Sequence, residues 1–215
     1  PEDNGEQWSA KAGQGTTFDV HLNDDNLGTV RWSQLGEHNM MNGLAAIAAA
    51  RHAGVPADRA IDAMSDFKGV LRRMDLIAEV GETFVYDDFA HHPTAIRKTL
   101  QGLRKQVGND EIIAVVEPRS HTMSLGTLRG ELTTCCAAAD AVYWFRGENI
   151  KWDLSEVVQA CVVPAHQHDD LDRLVNTLAK LPKRRRHIVI MSNGSFGGIY
   201  ASLPERLRRE DISAN

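Results

Sequence analysis

YDDFAHHPTAI, residues Tyr86 to Ile96, follows a short apolar run, Thr83-Phe84-Val85-Tyr86, that reads as a buried strand. The run stops at two carboxylates, Asp87 and Asp88, and continues as Phe89, Ala90, His91 and His92. Pro93 then stands where a helix would begin, and Ile96, Leu100 and Leu103 carry helical apolar spacing. A strand that ends in paired acids and imidazoles, just before a helix, is the crevice end of a βα unit, where open parallel sheets bind ligands. Helix capping by the two aspartates, with the histidines as exposed loop residues, explains the same letters, so local chemistry leaves both readings open.

Outward from this unit, strands and helices alternate. The pattern predicts strands at Val70–Glu79, Thr83–Asp87, Glu111–Val116, Ala141–Phe145 and His187–Met191. Helices are expected at Thr94–Gln106, Gly126–Ala139, Leu154–Gln159, Asp169–Leu181 and Gly198–Arg209. Such alternation implies an α/β fold, a mainly parallel sheet with helices on both faces. A change of composition at Asp66-Phe67-Lys68-Gly69 puts a domain boundary near Asp66, dividing residues 1–66 from 67–215. Upstream, Thr16–Leu22 and Gly28–Trp32 alternate around the turn cluster Asn23–Asn26 and read as a β-hairpin. Residues 1–15 read as loop or frayed strand. An alanine-rich helix follows from Gly36-Glu37-His38-Asn39 to near Gly54, with a second at Ala57–Ser65. The basic run Lys183–Arg186, and His166 and His168, read as solvated.

If the strands are parallel, three polar loops share one rim. They are Asp88-Phe89-Ala90-His91-His92, Glu117-Pro118-Arg119-Ser120-His121-Thr122, and Ser192-Asn193-Gly194-Ser195-Phe196-Gly197-Gly198. Arg119 is a planar cation suited to carboxylate or phosphate. Ser192, Asn193 and the glycine-rich backbone precede a helix and suit an anion, although a plain glycine turn reads as well. Asp88 has the chemistry to accept hydrogen bonds from a ribose.

Composition excludes several classes. Of 215 residues, 42% are hydrophobic and 25% charged, ordinary for a globular protein, and the formal charge of -5 gives nucleic-acid binding no electrostatic support. No apolar run is long enough to span a bilayer. Three cysteines, two adjacent (Cys135 and Cys136), suggest no disulfide framework and fit a reducing, cytoplasmic setting. Opening at Pro1 without methionine reads as a cut or processed chain. There is no Gly-Lys dipeptide and hence no phosphate-binding loop, no G-x-G-x-x-G after a strand, and Asn193 spoils a nucleophile elbow at Ser195. The histidine pairs lack the companions of a zinc site, which counts against an Asp/His metallohydrolase built on Asp87, Asp88, His91 and His92.

Taken together, Gly36-Glu37-His38-Asn39-Met40-Met41-Asn42-Gly43-Leu44-Ala45-Ala46, Phe67-Lys68-Gly69-Val70-Leu71-Arg72-Arg73 and Asp87-Asp88-Phe89-Ala90-His91-His92-Pro93-Thr94 resemble the Mur ligase family. These are ATP-dependent amide-forming enzymes of cell-wall peptidoglycan. Glu117–Met123 and Met191–Gly198 resemble the branch whose acceptor is a preformed murein tripeptide. The resemblance implies that residues 1–66 are the end of a central ATPase domain and residues 67–215 a Rossmann-like C-terminal domain. It implies ATP and Mg2+ as cofactors, with the phosphate-binding loop and magnesium ligands upstream, and an isolated fragment that is inactive. Asn39 and Asn42 resemble the pair that recognises adenine, Arg73 the arginine near the ATP phosphates, and Arg72 a solvent-facing neighbour. Asp88 resembles the aspartate that approaches the ribose, and His91 a residue lining the nucleotide or acceptor site. Arg119, Ser192, Asn193 and Phe196 fall where the acceptor amine compound binds. The implied partners are UDP-N-acetylmuramate and L-Ala-γ-D-Glu-meso-diaminopimelate, joined through an acyl phosphate in peptidoglycan recycling. A D-N-P-R signature is absent, so free diaminopimelate is not the expected acceptor. The alternatives are the branch that adds L-alanine to UDP-N-acetylmuramate and, in a different class, a non-catalytic nucleotide-binding module.

Overall fold

A computed structural model of the chain describes residues 5–32, 34, 36–120, 123, 125–148 and 150–213. His121 and Thr122 of the second rim loop lie outside the described residues. The chain divides into two compact units, one ending at Val70 and the other beginning at Leu71.

In the first unit, β1 (Trp8–Ala12), β2 (Thr17–Leu22) and β3 (Asp25–Arg31) form an antiparallel sheet in that order. Alternation drives it: Phe18, Val20 and Val30 point inward with Leu44 and Ile47 of α1 (Glu37–His52) and Ala60 and Ile61 of α2 (Ala57–Asp66). The hairpin turn is tighter than its polar cluster suggests. Asp25 pairs with Leu22, leaving Asn23 and Asp24 as the loop, with Asn23 left-handed at φ 55°. Of the loop or frayed strand expected over residues 1–15, Trp8–Ala12 is a short, half-exposed edge strand. Gly43 is a necessity: a Cβ there would lie 2.8 Å from Trp32 and 3.1 Å from Phe18.

The second unit is a six-stranded sheet of β4 (Asp75–Val80), β5 (Thr83–Asp88), β6 (Glu111–Val116), β7 (Ala141–Phe145), β8 (Ala165–His168) and β9 (Arg186–Met191). Its order is β4-β5-β9-β6-β7-β8, and only the β4–β5 pair is antiparallel. On one face lie α3 (Pro93–Val107), α4 (Arg129–Cys135) and α5 (Ser155–Ala160); on the other lie α6 (Leu171–Ala179) and α7 (Ile199–Ser213). Both faces are covered, so β6 and β9 alternate between two cores: Ile112, Ala114 and Val116 face one, Ile113 and Val115 the other. β4 begins later than expected, because Arg72 and Met74 take left-handed φ values of 61° and 55° that break an extended run. His166 and His168 belong to edge strand β8, where both stack on Tyr143.

The open question about Asp87 and Asp88 resolves against helix capping. The N-cap of α3 is His92, whose Nδ1 accepts from Thr94 N–H at 3.4 Å, with Pro93 at the first helical position. Both aspartates remain with the strand end. Among the described residues, no helix is long and apolar enough to cross a membrane.

Candidate functional site

Strands β5, β9 and β6 are consecutive neighbours, all parallel, with Asp88, Met191 and Val116 aligned across them. The three polar loops therefore start side by side at the carboxyl edge of the sheet, as parallel pairing requires. Met191 C=O accepts from Glu117 N–H, and Asp88 C=O accepts from Ser192 N–H, so pairing continues one step into the loops.

Adjacent residues of a strand face opposite ways, and Asp87 and Asp88 follow that rule. Asp88 is 1% exposed. Its carboxylate accepts from Ala90 N–H at 2.7 Å and Met74 N–H at 3.0 Å, with Thr99 Oγ1 at 3.5 Å. Burial raises its pKa, while the two backbone donors and the Arg73 charge oppose the rise. This carboxylate faces inward and pins two loops. Asp87 instead takes both oxygens to Arg72 Nε at 3.0 and 3.1 Å.

Arg72, expected to face solvent, is the hub of the rim. Its Nη2 donates to Ser192 C=O at 2.7 Å and to Tyr200 Oη at 2.5 Å, and the guanidinium lies over the rings of Phe89 and Tyr200. Burial and the Asp87 charge push the Tyr200 phenol up to about 12, against the pull of Arg72, so it stays protonated. Arg73, next to it, is exposed. His91 is half-buried, and its Nδ1–H donates to Phe89 C=O at 2.9 Å, leaving Nε2 as the other ring nitrogen.

On the third loop, Ser192 is fully buried. Its hydroxyl donates to Glu117 Oε2 at 2.5 Å and accepts from Gly194 N–H at 3.0 Å. Ser192 thus shapes the turn through its hydroxyl. Phe196 places its ring in the core, 1% exposed and 5.2 Å from that of Phe145. Asn193 is half-buried with an unpartnered Oδ1. Arg119 is exposed and lies over Gly194, where a Cβ would meet its Nη1 at 2.0 Å.

A cavity of about 610 Å³ opens beside Arg119. Glu117, Arg119, Arg146, Glu148 and the acidic residues 169, 170 and 172 give it charges of both signs. Arg146 and Glu148 follow β7 on the same rim and escaped the sequence reading. The parallel placement used for the other loops applies to theirs, so the signal was present. The roles of Arg72 and Tyr200 had no local signal. Asn39 and Asn42 sit three apart on α1 of the first unit, the former half-buried and the latter exposed; Gly36, not an asparagine, precedes that helix. Among the described residues no group of three or more His, Cys, Asp or Glu is placed to hold a metal ion.

A family model described as Mur ligase, glutamate ligase domain, matches residues 72–194. The UDP-N-acetylmuramate–L-alanyl-gamma-D-glutamyl-meso-2,6-diaminoheptandioate ligase of Escherichia coli K12 is 45% identical over 215 residues, 98% of this chain and 47% of that protein. The UDP-N-acetylmuramate–L-alanine ligase of a Jannaschia species is 34% identical over 192 residues, 83% of this chain and 40% of that protein. The crystal structure of a murein peptide ligase from Psychrobacter arcticus is similar with a TM-score of 0.73 and 37% identity, covering 94% of this chain and 44% of that one. The chain spans about half the length of the curated relatives it matches.

Proposed function

The chain belongs to the Mur ligase family, and from that premise we propose that the full-length protein joins UDP-N-acetylmuramate to L-Ala-γ-D-Glu-meso-diaminopimelate. The reading carries an ATP-dependent first step, in which the muramic-acid carboxylate takes a phosphoryl group and becomes an acyl phosphate. The free amine of the tripeptide then attacks that carbonyl, the C–O bond to phosphate breaks, and an amide and inorganic phosphate result. Rim residues of this chain would contribute positioning and charge, which is where such chemistry gains its rate.

The observation that carries the substrate choice is the cavity beside Arg119. At about 610 Å³ with Arg119 and Arg146 among its lining, it suits a peptide whose far end bears carboxylate and ammonium groups. The small methyl side chain of alanine would leave most of it unused. The higher identity to the relative named for the tripeptide, 45% against 34% for the one named for alanine, agrees.

In this reading Arg119 and Asn193 contact the acceptor, with Ser192 and Phe196 holding the turn beneath them. Arg73 and His91 face the nucleotide side, Asp88 fixes the loops that carry them, and Asn39 and Asn42 read adenine. A carboxamide offers one donor and one acceptor, the pattern that matches the N6/N7 edge of that base. ATP and Mg2+ serve as cofactors, the ion held by residues outside this chain, and residues 1–66 belong to the ATPase domain. The chain alone, without a phosphate-binding loop, is expected to be inactive.

The test is ATP-dependent phosphate release by the full-length protein with UDP-N-acetylmuramate, comparing the tripeptide with L-alanine. Turnover with the tripeptide only is the expected outcome. Turnover with alanine only makes this the alanine-adding enzyme, and silence with both removes the ligase assignment.

A further inference from the structure

We propose that Arg72 is a positioning residue that sets the acceptor side of the rim by holding the Ser192–Gly194 turn under Arg119. The inference rests on the ligase reading for its kinetic consequences, but not for its geometry.

Two sets of contacts carry it. The first uses the backbone. Arg72 N–H donates to Asp75 Oδ2 at 2.5 Å, Arg72 C=O accepts from Phe89 N–H at 2.7 Å, and Met74 N–H donates to Asp88 at 3.0 Å. Left-handed φ at both Arg72 and Met74 is unusual for side chains of this size and persists where surroundings dictate it. Arg73 is thereby presented from a turn clamped on both sides.

The second uses the guanidinium, which links three pieces of chain that are remote in sequence. Asp87 is the last residue but one of β5, Ser192 begins the turn after β9, and Tyr200 lies in the first turn of α7. From Ser192 the contacts run on without a gap. Its hydroxyl bridges Gly194 N–H to Glu117, and Arg119 rests on Gly194. Arg72 therefore acts on the acceptor through Arg119, not by contact. A planar fork with donors on separate nitrogens in fixed directions holds a carboxylate, a carbonyl and a phenol together; an ammonium, with its three donors on one atom of a flexible stem, does not reproduce those directions. The side chain is 28% exposed, so a plain surface ion pair would contribute little here. The organisation of the turn is the larger consequence.

The experiment has two arms on the full-length protein. In the first, hydrogen exchange is compared between the wild type and Arg72→Lys. Residues 192–198 and 117–120 should exchange at least about threefold faster in the variant, with α3 and β6 unchanged, because those loops lose their tie while the core does not. Tyr200→Phe, which removes one acceptor and keeps the ring, should give a smaller change in the same segments. Unchanged exchange there overturns the inference, whatever the ligase assay gives.

In the second arm, Arg72→Lys should raise the acceptor KM about tenfold with the KM for ATP and UDP-N-acetylmuramate nearly unmoved, and should add little in an Arg119→Ala background, since the two residues act on one contact. A purely structural role would multiply the two effects, and that outcome also overturns it. Absence of turnover by the wild type sinks the ligase reading instead, and the exchange arm then decides alone.

Discussion

The two edges of the six-stranded sheet carry similar residues and use them oppositely. At the amino edge, every cation of Lys183–Arg186 meets a carboxylate: Asp211, Glu111, Asp110 and Glu111 in turn. At the carboxyl edge Arg119 and Arg146 line a cavity, and neither has an ion pair among the described residues. The amino edge pairs all four of these cations, whereas the carboxyl edge pairs Arg72 with Asp87 and directs Arg119 and Arg146 at a space. A basic run is thus not by itself the mark of a site, since its cations can all be paired within the fold. Lys183–Arg186, expected as a solvated turn, is one only in part: Arg186 opens β9, is 3% exposed and is ion-paired.

If that contrast is sound, variants at the two edges should separate stability from acceptor binding. The largest effect belongs to Arg186→Met. Arg186 donates from Nε to Glu111 at 2.6 Å and from Nη2 to Pro182 C=O at 2.7 Å. Removing it leaves Glu111, 18% exposed, with Arg184 alone and takes the donor from Pro182 C=O, so urea denaturation should report a loss of about 3 kcal/mol. The acceptor KM of the protein that remains folded should not change, and a raised KM would erase the distinction.

Arg119→Ala should do the reverse. A charge-assisted hydrogen bond to an acceptor carboxylate is worth about 2 kcal/mol, so kcat/KM for the tripeptide should fall roughly thirtyfold. The urea midpoint should hold, since the side chain is exposed. Gly194→Ala probes the same contact more gently. Gly194 is not left-handed, so alanine adds no backbone strain, but its Cβ would displace Arg119. A rise in acceptor KM of about tenfold, at unchanged stability, is expected from misplacing one recognition group. Equal kinetics in both variants and wild type would mean that Arg119 is not part of the acceptor site.

What the sequence could show follows the same division. Strands β5, β6, β7 and β9 were readable nearly to the residue because burial on both faces demands unbroken apolar runs. β8 was not, since four residues at an edge with two histidines carry no such demand. Placing three loops on one rim needed only parallel pairing. Assigning side chains within them failed where the deciding partner is distant. The partners of Arg72 lie 15, 120 and 128 residues away, and no local pattern points to them. The orientation of Asp88 was illegible for a simpler reason: of two adjacent strand residues only one can face out on a given side, and the letters do not say which.

The smallest effect concerns acidity, and there too the edges differ in sign. His187, near the amino edge, stacks on Phe84, meets Tyr86 Oη at 3.0 Å and Asp110 Oδ2 at 3.3 Å, and burial, the largest influence, depresses its pKa despite Asp110. A depressed folded-state value means that the neutral ring is favoured by folding. Its contribution is present above the unfolded value of about 6.5 and is lost as pH falls through the folded one. Asp88, at the carboxyl edge, is raised by burial, so its contribution is present below the unfolded value of about 3.9 and is lost as pH rises through the folded one. The difference in urea midpoint between wild type and His187→Gln should therefore shrink on acidification from neutrality, whereas that between wild type and Asp88→Asn should shrink as the pH is raised from the acid side. Two difference curves of the same slope would show that burial does not set these groups apart. Opposite slopes would show that the rim tolerates an uncomfortable buried carboxylate for the sake of the loops that it holds.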